Sequence, residues 1–164
     1  MANKKIVLEF PKFITHVPLS KNKWVKIGYN HIHSSAHFTV RNAFVAAMHS
    51  YIDKHIPKDC GVITPVHTKL KIYAPKNYGS VRRLKDKKTK KAYISWKPAK
   101  EDYIPNWDLG NLALVWLKCL DDMLIKTGVI PEDTIDFIQK TSYEYIEVDT
   151  IDKRKLVYEI KTIE

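Results

Sequence analysis

Acidic side chains gather at both ends of an apolar stretch between Asn106 and Thr134. They stand at five positions: Asp108, Asp121, Asp122, Glu132 and Asp133. Clustered carboxylates are the ligands that hold Mg²⁺ in enzymes that act on phosphate esters. Lys118 lies among them in the sequence. The residue types therefore point to metal-assisted phosphodiester hydrolysis.

The apolar residues between these acids predict the helix that must position them. Seven of them recur at helical spacing: Leu112, Val115, Trp116, Cys119, Leu120, Met123 and Leu124. Asp108 stands where a side-chain oxygen can cap the first backbone N–H groups, and Gly128 supplies a stop signal. At about 100° per residue, Asn111, Lys118 and Asp122 fall on one side of this helix.

Each of these acids also has an ordinary structural interpretation. Asp108 can serve only as a helix cap, and Lys118 with Asp122 only as an i,i+4 ion pair. Glu132 and Asp133, which precede a predicted strand, can be simple turn acids. What favours the chemical interpretation is their occurrence in a strongly basic protein, since a nuclease must hold Mg²⁺ with carboxylates while it attracts a polyanion with cations.

The chain carries a net charge of +10, and the excess lies in one segment. Residues 69–100 contain 12 Lys and Arg residues and one acid, Asp86, whereas the rest of the chain contains 16 Lys and Arg residues and 17 acids. A localised basic stripe is typical of proteins that bind nucleic acids. The candidate DNA contacts are Lys69, Lys71, Arg82, Arg83, Lys85, Lys87, Lys88, Lys90 and Lys91. The alternatives are a solvated loop that aids solubility and an acidic membrane surface, but no amphipathic helix or lipidation motif accompanies the charge.

Periodicity along the chain predicts an α+β fold. In chain order we expect a strand at residues 6–10, a long polar loop at 15–35, an amphipathic helix at 37–56, a strand with one cationic face at 66–73, a basic loop or hairpin at about 76–92, a short strand at 93–97, the acidic helix, and two final strands. Residues 1–164 should therefore form a single domain, in which a single mixed β-sheet carries two main helices in the order β-α-β-β-α-β-β.

The remaining sequence signals exclude several classes of protein. No apolar run reaches the roughly 18 residues that span a membrane, and no signal peptide is evident, so we expect a cytoplasmic protein without a membrane partner. Cys60 and Cys119 form no disulfide framework. His31, His33 and His37 lie close together but lack a carboxylate or cysteine partner in sequence, so no zinc is expected.

Residues 106–134 resemble the RusA-like Holliday junction resolvases. That family's pattern reads D-x-x-N-L, then K-x-x-x-D, then G-[VI]-[IL]-x-[DE]-D before a strand. The matching residues are Asp108, Asn111 and Leu112, then Lys118 and Asp122, then Gly128, Val129, Ile130, Glu132 and Asp133. The upstream VPLSKNKW, with Pro18 and Asn22, is similar to the family's opening. The resemblance therefore covers most of the chain.

The resemblance implies a phage or prophage endonuclease with an α+β fold. Such enzymes act as homodimers that cut four-way DNA junctions at symmetric points during recombination or repair. Carried over to this sequence, the pattern implies catalytic residues at Asp108, Lys118 and Asp133. It implies that Asp108 and Asp133 bind Mg²⁺, with Mn²⁺ as a substitute, and that Glu132 is an additional acid beside the metal.

The chain departs from the family's pattern in two places. The family has a second aspartate two residues after the first, where this chain has Gly110. The seven positions from Asn111 to Lys118 are about one helical turn more than the family's spacing. Asp122 or Asp121 is a candidate to replace the missing carboxylate. If neither does, the alternative is a non-catalytic or weakly active nucleic-acid-binding relative. A small RNA- or ribosome-associated protein is a third possibility, although no RRM, KH or double-stranded-RNA motif is present.

Overall fold

The computed structural model of the protein describes residues 4–29, 32, 36–75, 80–97 and 108–163, with the backbone alone for residues 80–82, 96 and 97. The elements of this part are β1 (Lys5–Phe10), β2 (His16–Ser20), β3 (Lys23–Lys26), α1 (Phe38–Asp53), β4 (Val66–Ala74), β5 (Ser80–Lys85), β6 (Ala92–Lys97), α2 (Leu109–Lys126), β7 (Ile138–Glu147) and β8 (Lys155–Thr162). The prediction of an α+β fold with two helices and a mixed sheet is confirmed. Neither of these helices has the length and apolar character needed to cross a membrane.

The central sheet has four strands in the order β1-β8-β4-β7. Strand β8 pairs antiparallel with both β1 and β4, while β7 runs parallel to β4. Parallel neighbours need a long crossover connection. The connection between β4 and β7 includes α2, so the chain must carry this helix past the sheet before β7 can pair.

The expectation of a single sheet is wrong, because two hairpins stand apart from the central sheet. Strands β2 and β3 form one hairpin inside residues 15–35, where a loop was expected. These strands are only five and four residues long, and Pro18 interrupts the apolar alternation, which explains why the pattern gave no strand signal. Strands β5 and β6 form the other hairpin, which was one of the two alternatives, loop or hairpin, expected at about 76–92. Residues 76–79 lie outside the described part.

One hydrophobic core fills the space between the two helices and one face of the central sheet. Helix α1 buries Phe44, Met48 and Ile52, which lie on successive turns. Helix α2 buries Trp116 completely, and its ring centroid lies 5.4 Å from that of Phe10 on β1. Truncating a buried aromatic residue of this kind costs about 3–5 kcal/mol. The orientation of α2 is therefore set by its apolar side, and its polar side must face outwards.

The opposite face of the sheet carries charges that neutralise one another. Glu159 on β8 lies between Lys71 on β4 and Lys5 on β1, with N–O distances of 2.8 and 3.4 Å. Lys69 pairs with Glu144 on β7 at 2.9 Å. The hydrogen bond from Lys71 holds the pKa of Glu159 below its ordinary value. The cationic face predicted for β4 is therefore present, but acids on the neighbouring strands compensate it.

Replacing Glu159 by glutamine is expected to lower the melting temperature at about pH 7 by about 1–3 °C, since ion pairs near the surface contribute modestly. The pKa of Glu159 lies below its ordinary value of 4.5 in the folded protein. Its contribution to stability is therefore present above that value and is lost as the pH falls below it. Thermal unfolding of both proteins at about pH 7 and about pH 3 measures this difference. An equal difference at the two pH values would contradict the assignment.

Candidate functional site

Signals at both ends of α2 set its length and its register. Asp108 is the N-cap, and its Oδ1 accepts a hydrogen bond from the backbone N–H of Asn111 at 3.1 Å. Gly128, with φ of +72°, follows the helix in a conformation that glycine adopts without strain. Lys118 and Asp122 consequently fall on the outward side, where their side chains are 59% and 34% exposed.

A buried turn after α2 returns the chain to the side of the helix. Val129 and Ile130 are both buried, and their backbone N–H groups donate to the carbonyl of Leu124 at 2.8 and 3.3 Å. The N–H of Ile63 in turn donates to the carbonyl of Val129 at 2.8 Å. These contacts fix the start of the segment that carries Asp133, so this aspartate is positioned by the core and not by a loose loop.

Lys118 lies between two carboxylates at this point. Its Nζ is 2.9 Å from Asp122 Oδ1 and 2.9 Å from Asp133 Oδ2. The hydrogen bond from Lys118 lowers the pKa of Asp133, and the two aspartates, Asp133 foremost, raise the pKa of Lys118. His49 on α1 approaches the second oxygen of Asp122, with Nε2 3.8 Å from Oδ2. Two acids thus share one ammonium group, at the junction of both helices and the turn.

Asp108 lies far from this cluster. It caps α2 ten positions before Lys118, and a rise of about 1.5 Å per residue places the two about 15 Å apart along the helix axis. Mg²⁺ binds oxygen at about 2.1 Å, so two carboxylates that share an ion lie within about 4 Å of each other. Asp108 is therefore at the opposite end of α2 from Asp122, and its sharing of an ion with Asp133 stays a prediction of the resemblance. Within the described ranges, no three His, Cys, Asp or Glu side chains form a group that could hold a metal.

Gly110, where the resemblance expects an aspartate, lies beside two polar groups. A Cβ atom at Gly110 would lie 3.2 Å from Asp108 Oδ1 and 3.6 Å from the hydroxyl oxygen of Tyr143. An aspartate there would crowd the cap, whereas glycine leaves it undisturbed. Asp121 does not fill the gap, because its Oδ1 accepts a hydrogen bond from the hydroxyl of Tyr158 at 2.8 Å. Burial raises the pKa of Asp121 to about 6.

The β5–β6 hairpin carries an exposed excess of positive charge. Six cations of its described side chains are exposed: Arg83, Lys85, Lys87, Lys88, Lys90 and Lys91. Asp86 is the acid among them, and its Oδ1 accepts hydrogen bonds from the backbone N–H groups of Lys88 and Thr89 and from the Thr89 hydroxyl. These bonds, led by that from the Thr89 backbone, lower the pKa of Asp86. The acid thus orders the turn while the lysines point outwards. The side chain of Arg82 lies outside the described part.

Lys69 and Lys71 differ from the hairpin cations. Their ammonium groups pair with Glu144 and Glu159, and their side chains are 39% and 23% exposed. A cation that already has a carboxylate partner offers little net attraction for a phosphate. The hairpin is therefore the stronger candidate for contact with DNA.

Sequence reasoning missed two features that depend on distant parts of the chain. The approach of His49 to Asp122 joins two helices, and the bond between Asp121 and Tyr158 joins a helix to a strand. No local pattern marks such pairs. Among the histidines weighed for zinc, His37 caps α1 through Nδ1, while residues 31 and 33 lie outside the described part. Glu132 is exposed beside Asp133.

Neither models of known protein families nor curated proteins match this sequence. The resemblance to junction resolvases therefore stays a prediction, and the candidate site rests on its own geometry.

Replacing Asp108 by alanine is expected to destabilise the protein by about 1 kcal/mol, because the N–H of Asn111 loses its acceptor. Asparagine at position 108 keeps an oxygen in that place and is expected to change stability by only about 0.3 kcal/mol. Urea denaturation of the wild type and both variants measures the difference. If asparagine destabilises as much as alanine does, the side chain of Asp108 does not act mainly as a cap.

Proposed function

We propose that this protein is a Mg²⁺-dependent, structure-selective DNA endonuclease that resolves four-way junctions in phage or prophage recombination or repair. The observation that carries the proposal is the position of Lys118 between Asp122 and Asp133, which the motif pattern also groups. The chain acts as a homodimer in this proposal, because the two symmetric cuts that resolve a junction need two sites.

Asp122 and Asp133 are the residues that would hold the metal. Both contact one ammonium group, so their carboxylates already face a common cation position. Mg²⁺ in proteins is usually bound by one or two carboxylates together with waters and phosphate oxygens. These two carboxylates match that coordination, and Glu132 lies beside them. Mg²⁺ or Mn²⁺ bound there would polarise the scissile phosphate and lower the pKa of a bound water.

Lys118 has two roles in this proposal. In the free protein its ammonium group pairs with both carboxylates. If Asp122 and Asp133 held a divalent cation, the ammonium group would be free to donate a hydrogen bond to an oxygen of the scissile phosphate. In the metal-free protein the neighbouring aspartates, Asp133 foremost, raise the pKa of Lys118, so it is protonated there. Its role in this proposal is that of a charge stabiliser.

The β5–β6 hairpin supplies the attraction for DNA. Its exposed lysines can contact phosphates, and such contacts position a protein on DNA without reading the sequence. That property suits an enzyme that selects a branched shape. The acids that pair with Lys69 and Lys71 belong to β7 and β8 and not to the hairpin.

A non-catalytic or weakly active DNA-binding protein is the second candidate. It is favoured by the distance of about 15 Å along α2 between Asp108 and Lys118, together with the glycine at position 110. A relative that lost its metal site in this way would keep the hairpin and its affinity for DNA. The two candidate functions therefore predict different DNA cleavage but the same DNA binding.

Cutting is expected to depend on the cluster around Lys118. Asp133→Asn and Lys118→Met are each expected to slow Mg²⁺-dependent cleavage of a labelled four-way junction at least about 100-fold, because each removes a charge that acts at the scissile phosphate. The matched control is Asp149→Asn, since Asp149 forms a similar i,i+4 ion pair with Lys153 at 2.7 Å. This control is expected to cut within about twofold of the wild-type rate.

Binding of the same junction in Ca²⁺ separates the two candidates. Equal cutting by the wild type and Asp133→Asn would remove Asp133 from the mechanism. A wild type that binds the junction but cuts at no concentration of Mg²⁺ or Mn²⁺ would establish the non-catalytic candidate. A loss of cutting in Asp108→Asn as large as that in Asp133→Asn would place the metal site at the start of α2.

Neutralising the tip of the β5–β6 hairpin is expected to weaken DNA binding. The variant Lys87→Gln, Lys88→Gln, Lys90→Gln should bind the junction roughly 10- to 100-fold more weakly at about 0.1 M salt, and the slope of log affinity against log salt should fall by about 3. The matched control removes Lys5, Lys69 and Lys71 in the same way. It changes the net charge equally but takes away cations that have carboxylate partners.

Fluorescence anisotropy with a labelled junction at several salt concentrations measures both variants. The control is expected to bind within about threefold of the wild type. If the two triple variants lose the same affinity, net charge and not the hairpin determines binding.

A further inference from the structure

The β2–β3 hairpin presents a tryptophan to solvent. Trp24 on β3 is 63% exposed and pairs across the hairpin with Pro18 on β2. Directly opposite residues of an antiparallel pair lie on the same face, and neighbours along a strand alternate. The fully buried Val17 marks the inner face, so Trp24 and Pro18 lie on the outer face. The pair of His16 and Lys26 lies on that face too.

The hairpin is held firmly on its inner side. Val17 and Ile27 are buried, and the backbone N–H of Ile27 donates to the carbonyl of Thr15 at 2.7 Å. The hydroxyl of Tyr29 donates to the carbonyl of Ile14 at 2.9 Å. Trp24 is thus exposed although its hairpin is anchored. The valine side of the hairpin packs on the core, and the indole lies on the solvent side.

The segment of sequence that carries this indole is cationic. No Asp or Glu occurs in the sequence from Phe10 to Ile52. The hairpin carries Lys21, Lys23 and Lys26, all exposed, and none of them forms an ion pair within the part of the chain that the structure describes. An apolar protein partner would not need a short hairpin that carries three lysines and no acid. A polyanion with exposed aromatic faces would match both features.

We propose that the β2–β3 hairpin is a binding site for unpaired DNA, in which a base stacks on Trp24 and neighbouring phosphates contact Lys21, Lys23 and Lys26. Stacking on an aromatic side chain combined with cationic contacts is how proteins hold single strands without sequence preference. Bases of a continuous duplex have both faces covered by neighbours, so the site selects unpaired bases such as those at a branch point. The site lies on a different element from the Lys118 cluster and the β5–β6 hairpin. It rests on the proposed function only in taking DNA as the ligand.

Binding of a fluorescent oligothymidylate of about 15 nucleotides to the full chain in EDTA tests the proposal. Trp24→Leu keeps an apolar side chain but removes the π face, and it is expected to weaken binding roughly tenfold or more. Trp24→Phe keeps an aromatic face and is expected to bind within about threefold of the wild type. The quenching of tryptophan fluorescence on binding should be smaller in Trp24→Phe than in the wild type.

Phe38→Ala serves as the matched control, since Phe38 is 65% exposed but lies at the start of α1 and not in the hairpin. It is expected to leave the affinity unchanged. The proposal is overturned if Trp24→Leu binds as well as Trp24→Phe, or if Phe38→Ala loses as much as Trp24→Leu. In either case a wild type that binds the junction leaves the proposed function standing. A wild type that binds neither the oligonucleotide nor the junction overturns both.

Discussion

The burial of one side of α2 is the constraint on which the candidate site depends. Trp116 is fully buried against Phe10, and the residues one turn before and after it, Leu112 and Leu120, are buried too. When one side of a helix is packed in the core, the residues on its other side are necessarily exposed to solvent. Lys118 and Asp122 are outward because Trp116 is inward. The same core buries Val129 and Ile130, and so returns Asp133 to the lysine. Packing thus assembles a charged cluster from residues whose own interactions are too weak to position it.

Whether a cation of this protein can attract a polyanion depends more on its acidic partners than on the number of cations. The open sheet face holds several lysines, but Glu144 and Glu159 neutralise Lys69 and Lys71. On the β5–β6 hairpin the nearby acid, Asp86, is occupied by the backbone of its own turn. Cations of the same type therefore differ in what they offer a polyanion. The net charge of residues 69–100 counts all these cations equally. The register of the sheet determines which of them have a carboxylate partner.

Local patterns predicted the elements of the site, and non-local pairing decided how they meet. The spacing of apolar residues predicted α2, and Asp108 and Gly128 marked its ends, because each signal lies within a few residues of what it determines. The ion pairs of Lys69 and Lys71 come from β7 and β8, more than 70 positions away, so no window of sequence contains them. The β2–β3 hairpin was missed for a different reason. Its inner face needs only Val17 and Val25 from short strands, which is too brief an alternation to distinguish from a loop.

The length of α2 sets how far apart the candidate residues at its two ends lie. A rigid helix converts each added turn into about 5.4 Å between its ends. The resemblance groups Asp108 with Lys118 and Asp133, whereas ten positions of sequence separate the cap residue from Lys118. A carboxylate at position 110 would belong to the same end of the helix as Asp108. The glycine there leaves the cap on Asn111 intact. The start of α2 is thus built as a helix terminus, while Asp122 and Asp133 share Lys118 towards its other end.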